Sequence, residues 1–328
     1  MTGRLVFYAP SDQPVGGIAK LLDYAVHAAR HGRESLFVCE RMRSGAPSSL
    51  FSKPYFLAYG QAVTVCHAAD LQPLPSDIVV FSLPSSHLAL KRLYRAAGIQ
   101  PLDFVHLVQN VRVANTAFDG GYSYRLLPKR LHRLAITEDV RDAILPFVED
   151  RDLLHVIPHG FDFDFFARAP ERSDPPVLHF NRFKSDFGER VLAALSEAGL
   201  TMEVIVTNKG QPWPEMQANY NRSSLFLSTP LPEEGLYLPG LEAMAAGNLV
   251  VTSDAVGNRF YCDFGTNCLE IPYEDVAAAV ARIGWALDNW TSAAFDMRVA
   301  AHAQSESKGM EPEFSGFGRF LSSSLGAL

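Results

Sequence analysis

The chain has 328 residues, 48% of them hydrophobic with 22 Phe, enough to build two domain cores of ordinary size. Its net charge of -7 excludes general nucleic-acid binding by bulk electrostatics. No apolar run approaches the roughly 18 residues of a membrane-crossing helix, and the opening MTGRLVFYAP is strand-like rather than a leader.

Short apolar runs alternate with helical periods, the pattern of βα units and parallel sheets. Strands are expected at 4–8, 35–39, 62–66, 77–82, 103–108, 133–137 and 153–157, with helices at 18–31 and 86–97. A polar, Pro-containing stretch at 168–176 (RAPERSDPP) precedes a restart of the pattern. Strands follow at 177–180, 202–206, 224–228, 249–252 and 268–271, and helices at 186–198, 214–221, 238–246 and 274–288. A last helix is expected within 311–325, while 41–61 and 109–124 read as long loops. The expected fold is therefore α/β, two Rossmann-like domains with parallel sheets facing an interdomain cleft. The expected domains are 1–164, on the acceptor side, and 165–309, on the donor side. A C-terminal helix at 310–328 packs back toward the first domain.

Within the second half stands PEEGLYLPGLEAMAAGN, residues 232–248. Pro239 suits a first helical turn and Gly247 the position past its end, which delimits a short helix. The amides around Leu236 to Leu238, after a loop with Gly235, form an anion site suited to a diphosphate. Glu242 on the helix can accept hydrogen bonds from a ribose, and Glu234 at the loop end from a second polyol. A diphosphate between two hydroxylated rings describes a nucleotide sugar.

The E-x7-E pattern inside EEGLYLPGLEAMAAGNLVVTSD resembles the retaining family 4 glycosyltransferases of the GT-B fold. Weaker likenesses run through HVIPHGFDFDFF (155–166), GTNCLEI (265–271) and PVGGIAKLL (14–22). The resemblance implies that Glu242 binds ribose and that Glu234 meets the transferred sugar. It implies that the amides of Gly235, Leu236, Tyr237 and Leu238 meet diphosphate and sugar, and that Gly16 and Gly17 admit the phosphate closely. An ordinary strand-to-helix turn explains Gly16 and Gly17 equally well.

Two departures from the family pattern stand out. Arg182 and Gly188 in HFNRFKSDFGERVL fall at family spacing, but Phe187 occupies the place of a lysine that holds the leaving diphosphate. Arg182 is assigned to that diphosphate; Lys184 is the nearest replacement cation, or else a solvated lysine. Where many members carry a sugar-contacting His, this chain has Gln109 and Asn110, which can hydrogen-bond a donor hydroxyl but cannot act as a base. His106 reads as a core histidine.

Other candidates carry plainer readings. Arg112 meets an acidic acceptor or is simply exposed. His159 makes a structural hydrogen bond in the domain-entry turn. Asn258 and Arg259 contact a substrate or pack locally. The basic runs RLLPKRLHR (125–133) and LKRLYR (90–95) offer weak peripheral contact with anionic lipid or a phosphorylated acceptor, or are ordinary charged faces. Cys39, Cys66, Cys262 and Cys268 show no metal spacing and fit free thiols in a reducing, cytoplasmic compartment. The implied activity is retaining, metal-independent glycosyl transfer from a nucleoside-diphosphate sugar, with no cofactor, to a glycan, lipid-linked or small-molecule acceptor. A catalytically weak nucleotide-sugar-binding module, or a sugar-nucleotide epimerase of the same fold, is the alternative.

Overall fold

A computed structural model describes residues 3–42, 48–182 and 185–325. The chain forms two compact units, Met1–Gly160 with Glu311–Leu328, and Phe161–Met310. The division falls at Gly160 rather than at 164.

The first unit holds seven parallel strands: β1 (Leu5–Ala9), β2 (Ser35–Cys39), β3 (Val63–His67), β4 (Ile78–Phe81), β5 (Asp103–Val108), β6 (His132–Ala135) and β7 (Leu154–Val156). Their order is β3-β2-β1-β4-β5-β6-β7. β1 and β2 are buried along their whole length, as parallel strands covered on both faces must be. The helices are α1 (Gly16–Arg30), α2 (Pro54–Tyr59), α3 (Pro84–Ala96), α4 (Tyr122–Leu126) and α5 (Glu138–Ile144). Thr137 caps α5 by accepting from the amide of Val140 at 3.2 Å.

The second unit opens with α6 (Phe163–Phe166). It continues through β8 (Val177–Asn181), α7 (Phe187–Glu197), β9 (Glu203–Thr207), α8 (Trp213–Arg222), β10 (Leu225–Leu227) and α9 (Leu238–Ala245). Then come β11 (Leu249–Ser253), β12 (Cys268–Ile271), α10 (Val276–Asp288) and α11 (Ala293–Glu306). Its parallel sheet runs β12-β11-β10-β8-β9. Alternation along β10 sends Leu225 and Leu227 into a core with α7 and α10, and Phe226 into a second core with α9. Helix α12 (Met310–Ser323) is the last element among the described residues.

The long loops expected at 41–61 and 109–124 are partly helical: α2 and four short 3-10 turns occupy them, and α4 begins at Tyr122. Such short turns carry no apolar period for a sequence reading to detect. Helix α11 was missed for a related reason. Its buried residues, Ala294, Met297, Arg298, Ala301 and Ser305, are small or polar and give little hydrophobic contrast. No helix among the described residues is long and apolar enough to cross a membrane.

Candidate active site

In an open α/β sheet, ligands bind beyond the carboxyl ends of the strands where the order reverses. In the second unit that point lies between β8 and β10, because β9 is added on one side of β8 and β10 on the other. Arg182 directly follows β8, and residues 228–237 lead from β10 into α9. The cation and the acidic loop singled out in the sequence therefore leave adjacent strand ends.

Helix α9 starts with Pro239 in its first turn and ends where the Gly247 amide donates to Met244 O at 3.0 Å. Gly247 sits at φ +75°, and a Cβ there would lie 2.8 Å from the carbonyl oxygen of Arg168, so both conformation and space call for glycine. At the other end, among the described residues, no protein acceptor takes the amides of Gly235 and Leu236. Gly257 makes room for this loop: a Cβ on it would come within 2.7 Å of Leu236 N and 2.9 Å of Glu234 O.

Glu242 is buried, and its Oε2 accepts from the Tyr220 hydroxyl at 3.1 Å. Tyr220 is held in turn: Asn248 Nδ2 donates to its carbonyl at 3.0 Å. His179 packs beneath its ring, with centroids 5.0 Å apart. Burial drives the His179 imidazole down to about 3, so it is neutral and hydrogen-bonds Thr207 Oγ1 at 2.7 Å. Tyr237 is also buried, and its carbonyl accepts from the Tyr261 hydroxyl at 2.8 Å. Burial pushes the Tyr237 hydroxyl up to about 12; hydrogen bonds with Thr229 and Asn181 oppose this, while the charges of Glu234 and Glu242 add to it. Both carboxylates thus bear on one side chain. Glu234 itself is half-buried.

Arg182 is exposed and ion-pairs through Nε with Glu189 in the first turn of α7. Phe187, at the family's lysine place, is 3% exposed and belongs to the core with Phe180 and Val191. It also lines a small pocket with Ser185, Ser228, Thr229 and Ser253. Gly188 packs so close that a Cβ would lie 2.2 Å from the Phe180 ring. Lys184 lies outside the described residues.

In the first unit the reversal lies between β1 and β4. There Gly16 and Gly17 begin α1 rather than forming a loop. Gln109 Nε2 donates to Gly17 O at 2.9 Å and to Ser82 Oγ at 2.7 Å, so two predicted contacts meet one another. A Cβ on Gly17 would touch Gln109 at an ordinary 3.7 Å, and one on Gly16 would meet nothing within 4 Å. Among the described residues no protein group demands either glycine. Asn110 instead serves its own turn, accepting from the Arg112 amide at 2.8 Å.

His106 stacks on Phe81 with centroids 4.8 Å apart and is held neutral by burial, near 3. His159 makes its structural hydrogen bond through the backbone, its amide donating to Ile136 O at 2.9 Å; the ring is buried, and neither ring nitrogen has a partner among the described residues. Burial, with Lys20 and Lys53 nearby, holds it well below its usual value and hence neutral. Asn258 is spent on Thr252 at 2.7 Å and on Tyr261 at 2.8 Å, and Arg259 on Asp254 at 2.9 Å. The four cysteines are free, and Cys262 hydrogen-bonds Cys268, which raises its thiol. Among the described residues no cluster of His, Cys, Asp or Glu could hold a metal ion.

Sequence reasoning missed Asn181, Tyr220 and Thr229. Asn181 ends β8, Thr229 follows β10 and Tyr220 lies on α8, and their nearness to the E-x7-E segment appears once the strand order is known.

Residues 185–289 match the family model described as "Glycosyl transferases group 1". The fold is that of the GT-B glycosyltransferases, two parallel-sheet α/β domains. One similar structure is Anabaena HepE in complex with UDP-glucose, with 15% identity, TM-score 0.71, and coverage of 99% of this chain and 100% of that one. A second is sucrose-phosphate synthase from Thermosynechococcus elongatus, at 13% identity and TM-score 0.68, covering 99% and 100%. A third is a glycosyltransferase from Rickettsia africae, at 11% identity and TM-score 0.69, covering 99% and 100%. No curated protein sequence matches significantly. Family match and fold together support a glycosyl-transfer enzyme.

Proposed function

We propose that this protein is a retaining glycosyltransferase that takes a sugar from a nucleoside-diphosphate donor without a metal ion. The observation that carries this reading is the segment from β10 into α9. The charges of its two carboxylates both raise the Tyr237 hydroxyl, and the amides of Gly235 and Leu236 ahead of its helix have no protein acceptor among the described residues, all within the residues that match the group 1 family. Glu242, oriented by Tyr220, binds the ribose. The start of α9 and Arg182 hold the diphosphate and stabilise the charge that builds on it as the glycosidic bond breaks. Glu234 holds a hydroxyl of the transferred sugar near the anomeric carbon. No base is assigned, since neither Gln109 nor Asn110 can take a proton; the leaving phosphate takes the acceptor's proton.

UDP-glucose, which HepE binds, is the first donor to try. The experiment incubates the protein with UDP-glucose and mixed glycan, lipid-linked and small acceptors, with and without EDTA. It follows UDP release and reads the anomeric configuration of the product by NMR. Inverted product, or activity abolished by EDTA, overturns the retaining or metal-free assignment respectively.

One observation favours a second reading. Phe187 is sunk in the core and Arg182 is shared with Glu189, so among the described residues the leaving group meets less cationic charge than the family pattern provides. A nucleotide-sugar-binding module of low turnover would bind UDP and release none across the acceptor panel. An epimerase would return the donor as its epimer.

A further inference from the structure

Helix α3 turns Pro84, Ser86, His87, Leu90 and Tyr94 inward. Its outward stripe is Leu88, Lys91, Arg92 and Arg95, spaced i, i+3, i+4 and i+7, and all four are exposed. Leu88 is 41% exposed, and Leu83, just ahead of the helix, is 45% exposed. No acidic residue occurs from 78 to 102. Lys91, Arg92 and Arg95 have no ion-pair partner among the described residues.

The cationic surface continues onto the segment after α4. His87 Nδ1 hydrogen-bonds the Tyr122 hydroxyl at 3.2 Å, joining α3 to α4. The charges of Lys91 and Lys129 both bear on the His87 imidazole, which burial first and these lysines second hold down near 4. Lys129 is exposed and also without an ion-pair partner among the described residues, whereas neighbouring Arg130 lies 3.7 Å from Asp150. In a protein of net charge -7, four uncompensated cations beside two exposed leucines form a local exception.

We propose that the outer face of α3, with Lys129, docks the protein on an anionic lipid surface, the cations meeting headgroup phosphates and Leu83 and Leu88 entering the interface. Cations flanking exposed leucines are the arrangement of a surface-lying helix: electrostatic attraction to the anionic leaflet adds to apolar burial. A soluble polyanion would use the cations and leave the leucines in water. This proposal does not depend on the glycosyl-transfer reading.

The test is co-sedimentation of the full chain with vesicles of phosphatidylcholine alone and of phosphatidylcholine mixed with phosphatidylglycerol, at low and high salt. Pelleting is expected only with the mixed vesicles, and loss of it at high salt. Lys91→Gln, Arg92→Gln and Arg95→Gln should each lower the partition coefficient by about fivefold. Leu88→Ser should lower it further in the triple variant. These side chains are exposed, so melting curves should match the parent; if the triple variant melts early, Arg95→Gln alone carries the test. Equal pelleting with both vesicle types, no pelleting at low salt, or undiminished binding by the variants overturns the proposal. So does binding to soluble polyphosphate without binding to vesicles.

Discussion

The hydroxyl of Tyr220 donates to the carboxylate of Glu242 at 3.1 Å, and both side chains are buried. A buried carboxylate is tolerated only when hydrogen-bonded, and this bond also fixes its direction. Tyr220→Phe removes the donor without changing the ring. Hydrogen bonds to charged groups are worth about 1.5–3 kcal/mol, so UDP affinity should fall roughly tenfold or more. Glu242→Ala should weaken UDP at least as much, and adding Tyr220→Phe to it should then cost little more, because the two act through one contact. Isothermal titration of the four proteins measures this. Additive losses would show that Tyr220 does not act through Glu242.

Glu234 lies at the loop end, half-buried and before the helix begins, and its charge, like that of Glu242, raises the Tyr237 hydroxyl. If it meets the transferred sugar, its contact strengthens as the sugar develops positive charge. Glu234→Gln should then lower kcat about 10–100-fold while changing the donor Kd by only a few-fold. Single-turnover kinetics beside equilibrium binding separates the two. A large change in Kd with unchanged kcat would move Glu234 to the ground-state binding of the donor.

Glu189 competes with the proposed diphosphate for the Arg182 guanidinium. Their ion pair is exposed and worth little in itself, about 0–1 kcal/mol. Its consequence is for binding: Glu189→Gln frees the guanidinium and should tighten UDP by roughly two- to fivefold, more at low salt. Arg182→Gln should weaken UDP, and Glu189→Gln should then have no further effect. Tighter binding in Glu189→Gln that survives the loss of Arg182 would remove Arg182 from the site.

The fold was legible because parallel strands buried on both faces read as apolar runs, and eleven of the twelve strands fall within a residue of expectation at each end, apart from 133–137, which ends two residues early. The E-x7-E segment was legible because Pro239 and Gly247 delimit its helix locally. Its supports were not. Tyr220 reaches Glu242 from α8, and Asn248 holds Tyr220 from the far end of α9, so the network exists only after β10 is placed between β8 and β11. His159 is a different case: the turn supplies its amide with Ile136 O, but only packing decides whether a partner stands within reach of the ring.

Burial of several imidazoles sets the acid limit of the fold. His87 is held near 4, His106 and His179 near 3, and His27 and His159 below their usual value, in each case chiefly by burial. The folded pKa is depressed, so below about 6.5 the unfolded chain binds protons that the folded chain refuses, and stability falls as pH drops. His87, His106 and His179 each contribute about 1 kcal/mol of loss between pH 7 and about 5.5, and His27 and His159 add losses of the same sign. Glu313 and Asp23, also held below their usual range by Lys20 and, for Asp23, Lys53, add a second loss at lower pH, below about 4.5. Glu313 accepts from Lys20 at 2.9 Å and from the Gly160 amide at 2.8 Å, so Glu313→Ala leaves buried Lys20 and Lys53 sharing Asp23 as their one carboxylate partner among the described residues, and should cost about 3–5 kcal/mol at neutral pH. Urea midpoints from pH 8 to 5 should therefore drop steeply below about 6.5 in the parent, and start lower in Glu313→Ala. A midpoint that stays flat from pH 7 to 5.5 would mean that these imidazoles take up protons without unfolding, and hence that water reaches them.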